Sequence, residues 1–293
     1  MANQSLYYKF KTANIVVKFI VINALVFLGV RLISFVIQTK PGILTKWFVL
    51  PDAFSELILQ PWAFFTYSFL HFDFFHVLFN MLWMHWFGQI VLNLFTPKRF
   101  LTLYLLGGFF GGLLFVLAYN LFPVFANSRG YLIGASGAVM AIMVFMATYA
   151  PNTEMRLFRF NIKLWHIAAF FVVLDLVRLP TSGNAGGLLA HIGGAIFGYV
   201  YARQLVKGND IGIWFEKILD GTANLFKTRK AKPFQKVHRT KATRSGSIRS
   251  KEKDTKSNHQ KKVDIILDKI GKSGYESLTK SEKDYLFKSG KSD

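Results

Sequence analysis

The chain has 293 residues, with 36 Lys and Arg against 16 Asp and Glu for a net charge of +20, yet 52% of it is hydrophobic and 16% aromatic. A single soluble domain does not combine these values, whereas a membrane body joined to a basic soluble tail does. Cysteine is absent, which excludes disulfides, thiol catalysis and cysteine-ligated metals.

Residues 1–14 form a short polar N-terminal segment. It is not read as a signal peptide, because the apolar run after it is long and no small-residue cleavage site closes it. Hydropathy then places six spans, at about Ile15–Ile37, Phe69–Phe87, Leu101–Phe122, Ser136–Tyr149, Leu164–Leu179 and Leu188–Leu205. A crossing needs roughly 20 apolar residues, so spans four and five are short. An end that stops inside the bilayer must lie in a protein-lined cavity, and in span four that is the Ser136 end. Between spans one and two, residues 38–68 are rich in aromatics such as Trp47, Phe54 and Trp62. This stretch is expected at the outer interface, and Pro41, Pro51 and Pro61 prevent one continuous helix. Lys9, Lys11 and Lys18, then Lys98 and Arg99, then Arg156, Arg159 and Lys163, then Arg203 and Lys207 fall on alternate connections. The positive-inside rule therefore puts both termini in the cytoplasm. Ser136 and His191 come to a similar depth in the outer half.

Few polar residues interrupt the spans. Ser136 stands in Gly134-Ala135-Ser136-Gly137, and His191 in Ala190-His191-Ile192-Gly193-Gly194. Span two carries His71, His76 and Asn80, the last two on one helix face. Each of these can equally serve as interhelical glue. No His-x-x-x-His pair shares a helix, so no metal is expected. Gly107, Gly108, Gly111 and Gly112 in span three read as helix contacts. Gly194 and Gly198 form a GxxxG that lets span six approach span four closely. Asp175 in span five is most simply paired with Arg178, one turn on.

Taken together, Gly134-x-Ser136-Gly137, Ala190-His191-x-Gly193-Gly194-x-x-x-Gly198 and His71-x4-His76-x3-Asn80 resemble the rhomboid intramembrane serine proteases over about residues 15–205. The resemblance implies Ser136 as nucleophile and His191 as general base, a dyad with no acidic third member. It also implies an oxyanion site made by the Ser136 N–H with His76 and Asn80. His71, Gly134, Gly137, Gly194 and Gly198 are supporting positions, and no cofactor is implied. Three positions depart from the family's pattern. Trp62-Ala63 replaces a Trp-Arg pair, Leu92 follows Gly88 where a Glu is usual, and Met140 replaces a Tyr that stacks on the catalytic histidine. What orients His191 is thus left open.

The expected architecture is an all-α membrane protein with a six-helix rhomboid-like domain at 15–207. A disordered basic linker at 208–260 and a small C-terminal helical hairpin at 261–293 complete it. From Lys227 to Lys262 there are 14 Lys and Arg against Glu252 and Asp254. Beside a membrane this tail is expected to meet anionic lipid rather than nucleic acid, at about 1 kcal/mol per nearby basic residue. Residues 211–226 suit a short interfacial helix. Val263, Ile266, Leu267 and Ile270 recur at helical spacing, Gly271 and Gly274 break it, and Thr279-Lys280-Ser281-Glu282 is a capping box. The C-terminal pattern is similar to a small domain appended to some bacterial rhomboids. The functional expectation is an intramembrane endopeptidase in a bacterial inner membrane, cutting transmembrane substrates near the outer face. The alternative is a non-catalytic scaffold that binds transmembrane helices.

Overall fold

The computed structural model describes residues 5–157, 159–225 and 251–289. The chain divides into two units, Met1–Thr228 and Arg229–Asp293.

In the first unit helices occupy all six expected positions. After a short α1 (Leu6–Thr12) come α2 (Ile15–Val36), α6 (Phe74–Leu94), α7 (Pro97–Leu121), α8 (Ser136–Tyr149), α9 (Leu164–Arg178) and α10 (Ala185–Val206). Of these, α2, α6, α7 and α10 are long and apolar enough to cross a membrane, while α8 has 14 residues and α9 has 15. Side chains fix several starts. Asn14 caps α2, Asp73 caps α6, Thr96 caps α7 ahead of Pro97, and Asn184 caps α10, each accepting from a backbone N–H of the first turn. The Asp73 cap corrects the expected start of span two. The helix begins at Phe74, so His71 lies in the extended approach to it rather than on its face.

The stretch 38–68 breaks, as its prolines require, into α3 (Pro41–Thr45), α4 (Phe54–Leu59) and α5 (Ala63–Thr66), followed by a 3₁₀ turn at Tyr67–Phe69. Arg31, costly in lipid unless it faces protein, hydrogen-bonds the Phe72 carbonyl and lies over the Phe27 ring.

The chain is mostly helical, as expected, and two small antiparallel pairs are added to the helices. β1 (Leu50–Pro51) pairs with β2 (Tyr131–Leu132), which ties the loop between α2 and α6 to the segment leading into α8. β3 (Glu154–Leu157) pairs with β4 (Phe160–Lys163), with Met155 opposite Ile162. Alternation of polar and apolar residues on both sides of a short turn produces this hairpin. Its basic residues had drawn attention only as a charge signal.

α8 is enclosed. Eleven of its residues, Gly137 to Ala147, are buried. α10 lies against it so closely that a methyl at Gly194 would overlap the Gly137 carbonyl, and one at Gly198 the Ala141 carbonyl. The GxxxG thus brings two backbones into contact, as its spacing implies. On α7, Gly107 meets Ala141 and Gly111 meets the Ala190 carbonyl.

At the other end, Arg99 on α7 is clamped by Asp210 at 2.5 Å and Glu216 at 2.9 Å, and Tyr201 donates to Asp210 at 3.0 Å. Lys98 pairs with Asp220 at 2.7 Å. These bonds fasten α11 (Ile213–Leu225), which falls where a short interfacial helix is expected, to the start of α7.

In the second unit α12 (Lys251–Ser273) and α13 (Lys280–Ser289) flank a 3₁₀ turn at Tyr275–Ser277. α12 starts at Lys251, inside the stretch expected to be linker, because a polar run without Gly or Pro continues the helix backwards from Val263. The remaining basic linker, 226–250, lies outside the described residues. The Thr279 capping box is formed. Its N–H donates to Glu282 Oε2 at 2.7 Å, and its hydroxyl accepts from the Glu282 N–H at 3.4 Å. Lys269 pairs with Glu282 at 2.9 Å.

Candidate active site

Ser136 is the first residue of α8, where backbone N–H groups have no helical partner and the helix dipole favours negative charge. Gly134 precedes it with φ +129°, a conformation that strains any side chain, and a methyl there would lie 2.7 Å from the His76 ring. Glycine at 134 therefore lets the Cε1–Nε2 edge of His76 reach the start of α8.

His76 and Asn80 sit in the first two turns of α6, and His191 in the second turn of α10. Ser136, His76, Asn80 and His191 all line one cavity of about 710 Å³, together with Asp73, Asn184 and Gly187. Its remaining wall is apolar, with Trp83, Trp86 and Phe171 among the lining residues. No hydrogen bond joins Ser136 to His191 among the described residues. Nucleophile–base bonds commonly tighten only once substrate is bound.

The hydrogen bonds assign protons on both imidazoles. His76 Nδ1 accepts from the Phe72 N–H at 3.4 Å, which leaves Nε2 as the protonated, donating nitrogen. Phe72 also stacks on the ring, with centroids 6.0 Å apart. Asn80 Nδ2 donates to the His76 carbonyl at 3.0 Å. His71 stands edge-on to His76, 5.0 Å between centroids, and both its ring nitrogens are buried with no partner among the described residues. It does not line the cavity.

Asp175 does not pair with Arg178. Its Oδ2 lies 2.8 Å from His191 Nδ1. Local spacing on α9 favoured the arginine, but α9 and α10 are joined by a short turn that brings the end of one beside the start of the other. The available signal was a single carboxylate in an otherwise apolar helix. Asp73 was also overlooked, although an Asp three residues before His76 is an N-cap signature. Gly134, Gly137 and Gly194 lie at close contacts around the start of α8, and Gly198 meets Ala141 further along it.

The fold and this cavity define a polytopic helical membrane protein whose buried polar residues converge near the start of one enclosed helix. The family model for the Rhomboid domain matches residues 59–208, about half of the chain, and the chain belongs to the rhomboid family. A second family model, a family of unknown function (DUF6576), matches residues 247–290. The chain is 30% identical over 156 residues to RHOMBOID-like protein 12, mitochondrial, of Arabidopsis thaliana, covering 49% of this chain and 46% of that one. It is 28% identical over 173 residues to the human presenilin-associated rhomboid-like protein, mitochondrial, with 55% and 44% covered. Rhomboid-like protease 1 of Toxoplasma gondii is 26% identical over 160 residues, with 53% and 51% covered. The chain thus spans about half the length of the curated relatives it matches.

Proposed function

We propose that this protein is an intramembrane serine endopeptidase that cleaves transmembrane substrates through a Ser136–His191 dyad. The observation that carries the reading is the convergence of Ser136, His191, His76 and Asn80, from three helices, on one cavity inside the membrane unit. In this mechanism the Ser136 oxygen attacks the scissile carbonyl carbon while its proton passes to His191 Nε2. The tetrahedral oxyanion is held by the Ser136 N–H, His76 Nε2–H and Asn80 Nδ2–H. His191 returns the proton to the leaving amine as the C–N bond breaks, leaving an acyl-enzyme ester on Ser136. Water then attacks that ester, again giving its proton to His191, and the acid product leaves with Ser136 restored.

The wider proposal keeps six crossings over residues 15–207, both termini on the side of the basic loops, and cleavage near the opposite face. That face suits a bacterial plasma membrane's outer side. The basic tail after α11 meets anionic lipid, and the helices from Lys251 onward form a separate small module. Support comes from the helices at six positions and from the side shared by Lys98, Arg99, Arg203 and Lys207.

A fluorophosphonate probe tests the chemistry. It is expected to label the wild-type chain in detergent and to leave Ser136→Ala and His191→Ala unlabelled. Unchanged labelling of Ser136→Ala overturns the assignment. No labelling of the wild type favours a scaffold that binds transmembrane helices without cutting them.

A further inference from the structure

We infer that Asp175 is a positioning residue that completes the site as a third member, holding His191 in the tautomer and orientation that general-base chemistry needs. The inference rests on the protease reading above, and goes beyond the dyad in giving the base a fixed acidic partner.

Three observations carry it. Asp175 Oδ2 is 2.8 Å from His191 Nδ1, with the aspartate side chain 6% exposed and the histidine 24% exposed. The aspartate is thus covered, and the ring it holds opens on the cavity lined by Ser136. Secondly, among the described residues His191 is the sole hydrogen-bond or ion-pair partner of the Asp175 carboxylate, although Arg178 stands one turn away on the same helix. Thirdly, α9 is otherwise apolar from Leu164 to Val177 except for His166. A carboxylate in such a helix costs a few kcal/mol unless it is paired.

The chemistry follows from the ring's two nitrogens. A carboxylate oxygen at 2.8 Å from Nδ1 requires a proton on Nδ1, since two lone pairs facing each other repel. The neutral imidazole then has its free lone pair on Nε2, the nitrogen that must accept the Ser136 proton. After that transfer the ring is an imidazolium with two N–H groups. Asp175 stays ionised and stabilises it without taking a proton itself. Asp175 does not reach substrate, and its effect passes through His191.

The test uses the full chain in detergent micelles with ¹⁵N-labelled histidine in a Ser136→Ala background, which removes turnover. The His191 resonances are assigned by their loss in His191→Gln. The expected spectrum has the proton on Nδ1, and adding Asp175→Asn moves it to Nε2, because the Asn amide presents an N–H to the ring. In the Ser136 protein, Asp175→Asn is expected to lower kcat by about 10²–10⁴ while KM stays within about twofold. Asp175→Glu is expected to recover at least about tenfold of the loss. An unchanged tautomer in Asp175→Asn overturns the proposal, whatever happens to kcat, because the loss would then be structural. A tautomer change in a chain that no fluorophosphonate labels supports the pairing and places the failure with the protease reading instead.

Discussion

Gly194 on α10 faces the carbonyl oxygen of Gly137 on α8 with no room for even a methyl group between them. The obstacle is backbone, which cannot swing aside as the tip of a side chain can. Gly194→Ala is therefore expected to push the helices apart and destabilise the unit by about 1–3 kcal/mol. It should also displace His191 from Ser136 and abolish fluorophosphonate labelling. Gly29→Ala is the control, because nothing lies within 4 Å of a methyl at that position. It should leave labelling intact and the unfolding midpoint equal or slightly higher, as alanine favours a helix by up to about 1 kcal/mol. Wild-type labelling and midpoint in Gly194→Ala would refute the close contact.

In the proposed mechanism His76 and Asn80 hold the oxyanion. Replacing either with Ala is expected to lower kcat by about 10²–10³ with little change in KM, since the bond forms only as charge develops on the substrate oxygen. A rise in KM at constant kcat would instead make them groups that bind the ground state.

Arg99 satisfies two carboxylates, Asp210 and Glu216, in a site where all three side chains are at most 23% exposed. Arg99→Met leaves both acids without their counter-ion, and breaking a buried pair in this way costs about 3–5 kcal/mol. The detergent-solubilised protein should unfold at lower temperature, with proteolysis in α11 preceding the loss of the bundle. Arg99→Lys should recover only part of the stability, because a point charge cannot hold both acids as a guanidinium fork does. Uniform protease resistance in Arg99→Met would show that α11 is held by its apolar face alone.

Glu282 reports on the C-terminal unit. The Thr279 backbone N–H, then the Lys269 ammonium and the Thr279 hydroxyl, hold its carboxyl well below the usual carboxylate range, at about 2. A depressed acid stabilises the folded form above its unfolded pKa near 4.5, and that contribution disappears as the pH falls toward 2. Titration of the Glu282 side-chain carboxyl by ¹³C NMR in the full chain should give a midpoint near 2 in the wild type. In Thr279→Ala the hydroxyl is lost while the backbone N–H remains, so the midpoint should rise only part of the way. A wild-type midpoint near 4.5 would mean that the capping box does not form in solution.

Much of this molecule is legible in the order of its residues. Helix positions followed from runs of apolar side chains, and the contact between α8 and α10 from the four-residue spacing of Gly194 and Gly198. Ser136, His76, Asn80 and His191 stood out because a Ser, a His and an Asn are costly in an apolar helix, whereas Asp73 and Asn184, which line the same cavity, did not. Other features depended on contacts between distant parts of the chain. The β1–β2 pair joins Leu50 to Leu132, and two residues per strand carry no periodic signal. Asp175 was given to Arg178 because spacing along one helix is visible in a sequence, whereas the fold of α9 back onto α10 is not. The start of α6 was misplaced by hydropathy, which counts Phe69 and Leu70 as helix while Asp73 ends the approach with a cap.

The enclosure of α8 has a consequence for how the bilayer acts on the site. α2 presents most of its surface outward, whereas α8 is buried from Gly137 to Ala147 among α6, α7 and α10. A helix that does not meet hydrocarbon has no mismatch of its own to relieve by tilting. The depth of Ser136 is thereby fixed by its protein neighbours. A thinner or thicker lipid tilts α2 first, a helix that contributes no wall to the cavity around the serine, and leaves the serine where it is.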